Sequence, residues 1–122
     1  MFIRFVVVEP DTNDHRLFTG LIARARILRD DGELDQVEVA VLERVYDWFN
    51  RHLPVPPYGD AWPRNCAAWF KSEATEAISA MWELYGLLQR KGVEVRMIKS
   101  KHPGKIVYED DQQVVVQEWS SL

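Results

Sequence analysis

Cysteine is almost missing from this sequence. Cys66 is the only one in 122 residues, so no disulfide can close within the chain and a reducing compartment is expected. Histidine is scarce and scattered: His15, His52 and His102 include no H-x-x-x-H pair. No metal site is therefore expected. The acidic Glu109-Asp110-Asp111 cluster lacks the alternating ligands and the glycine of a calcium loop. No GxSxG, P-loop or dinucleotide fingerprint is present, and no cofactor is expected.

Two other shortages bear on location and partners. No apolar run approaches the ~20 residues of a membrane-spanning helix. The opening MFIRFVVVEPD has the wrong length and flanks for a signal peptide, with Glu9, Pro10 and Asp11 where small residues would be needed. A soluble, cytoplasmic protein is expected. Positive charge is also in deficit, at a net −4, which makes nucleic acid and anionic membrane poor partners. The chain shows no repeat, low-complexity tract or long linker, so residues 1–122 are expected to form a single globular domain around one core.

What is present begins with large rings: five tryptophans suit either an aromatic-rich core or an aromatic contact surface. Phe2–Val8 is β-branched and aromatic with one charge, Arg4, as in a strand covered on both faces. Leu17, Phe18, Leu21, Ile22, Ala25 and Leu28 fall at helical spacing between about Asp14 and Asp30, and Gly32 follows as the stop. Asp35 and Glu38 form a capping box for a second helix, with Val41, Leu42, Val45, Tyr46, Phe49 and Leu53 as its buried face. Pro54 ends it. CAAWFK reads as a short helical turn or an extended lead-in. Ser72 then caps a third helix, with Ala74, Ile78, Met81, Trp82, Tyr85 and Leu88 on one side and Gly92 at its end. Three β-segments follow, VEVRMIKS, KIVYE and QQVVVQEW, the last two joined at Asp110-Asp111 as a two-residue hairpin.

The order β-α-α-α-β-β-β predicts an α+β fold, partly α/β. It would have a small mixed sheet of three to four strands and helices packed mainly on one face. A parallel arrangement of the first strand and the Val93 strand, joined by a helical crossover, would bring two loops to one sheet edge. One carries Asp11, Asp14 and His15, and the other Lys101, His102 and Lys105. Asp11, Asp14, His15 and His102 are then the candidates for acid–base chemistry, and Lys101 and Lys105 for an anion. As ordinary structure, the aspartates cap a helix and the lysines solvate a Pro-Gly turn. Cys66 has no histidine nearby in sequence and reads as a small buried hydrophobe.

The proline-rich PVPPYGDAW, residues 54–62, is the other candidate site. Four prolines between 54 and 65 stiffen it, and Pro57, Tyr58, Trp62 and, farther on, Trp69 are the candidate contact residues. Either it is a lid with its rings in the core, or it is an exposed contact surface. Trp48, at the edge of the second helix's apolar face, either extends that surface or flanks the core. Two functional readings follow. The first is a protein-interaction module that binds a partner, or a second copy of itself, through residues 54–62. The alternative is a small enzyme or anion- or ligand-binding protein working at the strand-end loops 11–15 and 100–105.

Overall fold

A computed structural model describes residues 1–8, 20–59, 61, 63 and 65–117. The described residues form five strands and three helices: β1 (Phe2–Val7), α1 (Leu21–Asp30), α2 (Gln36–His52), β2 (Cys66–Lys71), α3 (Thr75–Arg90), β3 (Val95–Ser100), β4 (Lys105–Glu109) and β5 (Gln113–Gln117). The fold is α+β. Among the described residues no helix is long and apolar enough to cross a membrane.

The sheet departs from the expected one in size and in direction. Its order is β3-β1-β2-β5-β4, and every neighbouring pair is antiparallel. CAAWFK supplies the extra strand. Its Trp69-Phe70 pair favours β structure, and Cys66–Phe70 pairs residue for residue with Gln113–Gln117. The first strand and the Val95 strand lie antiparallel, with Val7 opposite Val95 and Phe2 opposite Ser100. The three C-terminal strands are not a meander either, because β3 and β4 occupy opposite edges.

That last fact dictates the curvature of the sheet. Residues 101–104 alone connect β3 to β4. Five Cα–Cα steps reach at most ~19 Å. In a flat sheet, four strand spacings of ~4.8 Å would consume that reach with none left for the offset along the strands. The sheet is therefore strongly coiled. It bends where β1 and β2 meet, since only Phe2–Lys71 and Ile3–Phe70 pair there.

Two apolar clusters result. The main one joins Ile3, Phe5 and Val7 of β1 to Leu21 and Leu28 of α1, Leu42, Val45 and Phe49 of α2, and the buried face of α3. On the other face Trp69, Val114 and Val116 pack with Phe2 and Ile98. β1 is thus covered on both faces, as its composition requires, with Phe5, Val6 and Val7 all buried.

Local signals position the helices. Glu38 donates its N–H to Asp35 Oδ1 and Asp35 donates its own to Glu38 Oε1, each at 2.9 Å, completing the expected capping box. Lys91 pairs with Glu38 at 2.8 Å; this bond and the Asp35 N–H hold the Glu38 carboxyl below its ordinary range. Asp35→Ala is expected to cost about 1 kcal/mol, checked by urea unfolding. Gly32 and Gly92 take positive φ, 74° and 78°, where the chain turns out of α1 and α3. Three local expectations shift. Ala74, not Ser72, caps α3 and makes no side-chain bond; Tyr46 and Trp82, read as buried, are exposed; and the part of the first helix expected before Leu21 falls largely outside the described residues.

Candidate functional site

The antiparallel β1–β3 pair does not bring the described ends of these two strands to one sheet edge. The chain leaves β1 beside Val95 and leaves β3 beside Phe2, so the exits lie about a strand length, ~17 Å, apart. Asp11, Asp14 and His15 lie outside the described residues. His102 and Lys101 are exposed, and the His102 N–H donates to Ser100 Oγ at 3.2 Å within its own turn. Lys105 is exposed on the edge strand β4. Among the described residues, no group of three histidine, cysteine or acidic side chains could hold a metal ion. Cys66 is half-buried at the start of β2.

Residues 54–59 behave as a strap. Pro54, Pro56 and Tyr58 are half-buried while Val55, Pro57 and Gly59 are exposed, an alternation that lays one side of an extended segment on the protein. Each end is fastened to the β4–β5 hairpin. Gln113 Nε2 donates to the Pro54 carbonyl at 2.7 Å, and Tyr58 Oη donates to the Val107 carbonyl at 3.4 Å. Beneath the strap is a groove of about 310 Å³, lined by Tyr46, Phe49, Leu53, Val55 and Phe70 among others. One side of residues 54–59 thus lies against the protein and the other faces solvent. Trp62 lies outside the described residues.

Trp69 is corrected from contact surface to core. It is 7% exposed on β2, packs with Val114 and Val116, and has the Arg4 guanidinium 6.0 Å from its ring centroid. Trp48 is half-buried on α2. It packs against the core and stacks on His52 at 4.8 Å, lining two shallow grooves of about 250 and 320 Å³ along α2 and α3. A wider cleft of about 670 Å³ opens where β1 and β2 part, with Arg4, Cys66 and the start of α1 on its walls.

The strap's anchor was not found by sequence reading. Gln113 is a buried polar residue, 3% exposed. Its amide also donates to Asp110 Oδ2 at 3.2 Å, and Asp110 in turn accepts from the Gln112 and Gln113 N–H groups and from Tyr108 Oη, at 2.8, 3.0 and 2.8 Å. Burial pushes the Asp110 carboxyl up, but these donors outweigh it and hold the group below its ordinary value. The same bond raises the Tyr108 phenol. Lys71, raised by its bond to Glu109, clamps the hairpin from β2. The turn therefore spans Asp110–Gln112, not two residues. The available signal was Asp110 as an Asx-turn former ahead of two glutamines.

Comparison with known proteins adds nothing to this geometry: no family model, curated protein or solved structure matches the chain.

Proposed function

We propose that the protein is a protein-interaction module whose contact surface is the strap at 54–59 with the adjoining flank of α2 and edge of β4. One observation carries the reading. Of the large apolar side chains exposed among the described residues, Tyr46, Val55 and Val107 lie at the strap, with Val55 at 80% exposure. Tyr46 and Val55 share the groove, and Tyr58 ties the strap to Val107. Such grouping on one face is the mark of a surface meant to be covered. The prolines and the Gln113 tether order the strap in advance, so docking loses less entropy. The groove is lined mostly by apolar side chains, so an apolar partner group laid on it would leave water, the arrangement that concentrates binding energy.

Site-specific photocrosslinking tests this. A photoreactive residue at position 55 is expected to give an adduct of discrete mass in the host cell. The same residue at position 37, where Val37 is 74% exposed at the far end of α2, serves as the control and is expected to give none. Tyr46→Asp should cut the yield at position 55 by about tenfold or more, a hot-spot effect of ~1.4 kcal/mol or greater. Equal labelling at 55 and 37, or none at either, overturns the proposal.

A further inference from the structure

We infer that β3 is a second docking edge, separate from the strap, and that it takes an extended acidic segment of a partner protein as a further, antiparallel strand. β3 ends the sheet on the side away from β4, with β1 on its inner side and α3 packed over one face. One step beyond the Val7–Val95 pair, the Val8 N–H donates to the Glu94 carbonyl at 2.8 Å. Alternation along the ladder then turns the backbone groups of Arg96, Ile98 and Ser100 toward β1, and those of Val95, Met97 and Lys99 outward. Among the described residues, nothing bonds to the outward set. An added strand is what satisfies such a row.

The two edges of the sheet differ. β4 is five residues long, slips against β5 between Ile106 and Tyr108, and has its Val107 carbonyl taken by Tyr58. Its own strap guards it. β3 pairs with β1 over six consecutive residues, with no slip and no proline. Nothing in its backbone discourages addition.

Charge chooses the partner. Glu94 is the only acid from Gly92 to Tyr108, and Arg96 holds it at 2.9 Å. Lys99 and Lys101 are exposed and make no ion pair among the described residues. Lysine on an edge turns away neutral and basic strands, and the same charge selects an acidic one. The rings of Trp82, 43% exposed, and Tyr85 stand edge-on to Phe5 at 5.0 and 6.4 Å, and Phe5 is the β1 residue paired with Met97. Ile78 and Gln89 share that flank of α3 by helical spacing, so it carries no acid; Glu76 and Glu83 line the groove toward α2. Side chains return to one face of a strand every second residue. A segment antiparallel to β3 therefore sets an acid opposite Lys99 and, two residues later, an apolar side chain opposite Met97, on the face that carries Trp82. The partner's signature is acid-x-apolar in an extended stretch.

Selection of random linear peptides displayed on phage, against the full chain, tests the inference. Enriched peptides are expected to carry the acid-x-apolar pair. One of them, synthesised, should slow exchange of the Val95, Met97 and Lys99 amides, which the free protein leaves open. By fluorescence anisotropy, Lys99→Gln should weaken binding about three- to tenfold through loss of charge alone. Lys99→Pro also removes an outward N–H but no bond to β1, so the sheet survives while binding falls below detection. Circular dichroism checks the fold, and if that variant unfolds, amide exchange on the wild type still decides. Tyr46→Asp, at the strap, should leave the affinity unchanged. No enriched peptide, enrichment without acids, or a bound peptide that leaves the three amides open would each overturn the inference. Peptides that protect the strap in place of β3 would overturn it too, while supporting the interaction reading, which the adduct at position 55 tests separately.

Discussion

Truncation of Leu84 to alanine is expected to destabilise the fold by about 2–5 kcal/mol, the range for removing a buried leucine and leaving a cavity. Leu84 lies at the middle of α3, fully buried, with Ala77, Met81 and Leu88 before and after it on the same face. That face reaches both other helices and β3, so it is the element on which the layers register. The surroundings are rigid leucines and valines with little freedom to collapse into the gap. A native stability of ~5–15 kcal/mol leaves the variant marginal or unfolded at 37 °C. Urea unfolding followed by tryptophan fluorescence measures the loss. A cost below about 1 kcal/mol would mean that α3 is not the keystone described above. Leu84→Met, which nearly conserves volume, should cost under ~1.5 kcal/mol and separates cavity formation from disturbance of the helix.

The second large effect is expected at Asp110, whose replacement by alanine should cost about 2 kcal/mol. The carboxylate accepts two backbone N–H groups and two side-chain donors. Hydrogen bonds to a charged group contribute more than neutral ones, though partial exposure and water limit the sum. The consequence reaches beyond the turn. Without Asp110, Gln113 loses one of its two partners, and the hold on the Pro54 carbonyl weakens with it. Hydrogen exchange should therefore rise in the β4–β5 hairpin and in the strap, while α3 stays protected. An effect confined to residues 110–113 would contradict this coupling.

The pH dependence has a definite sign. The folded-state carboxyl of Asp110 titrates below its ordinary value near 3.8. Its contribution is then fully present above the unfolded value and is lost as pH falls through the folded one. Glu38 is shifted in the same direction by Lys91 and the Asp35 N–H, and adds to the same acid loss. Asp110→Asn keeps the shape and removes the charge. Its stability should fall less steeply than that of the wild type below pH ~4.

How far the sequence could be read varied with the range of the interactions involved. The capping box at Asp35 and Glu38, the turn glycines Gly32 and Gly92 and the halt at Pro54 were all legible. Each depends on residues within a few positions of one another. The tightly apolar β1 was legible too, because a strand buried on both faces has little room for charge. CAAWFK was not. Six residues with two alanines carry no decisive period, and only the ladder with Gln113–Gln117 makes them a strand. Tyr46 and Trp82 sit at correct helical spacing for burial, yet the neighbouring layers cover them only in part: Phe5 packs edge-on to Trp82 and Arg26 lies over Tyr46, and both rings stay exposed.

The candidate site divides in the same way. Proline and aromatic content marked residues 54–62 as a segment that had to be held or covered. Which side chains face outward, and that Gln113 and Val107 hold them, came from pairings 59 and 49 residues away in sequence. Trp69 looked like a contact residue by type and was assigned to the core by its place opposite Val114.

By itself, then, the sequence determined the three helices, the Asp35–Glu38 cap, the glycine and proline stops, the burial of β1 and the α+β class, because local sterics and the apolar period act over one or two turns of chain. The tertiary structure decided strand order and direction, the coil of the sheet and the outward face of the strap. Those rest on hydrogen bonds and apolar contacts between distant segments, whose free energy exists only once the layers have come together.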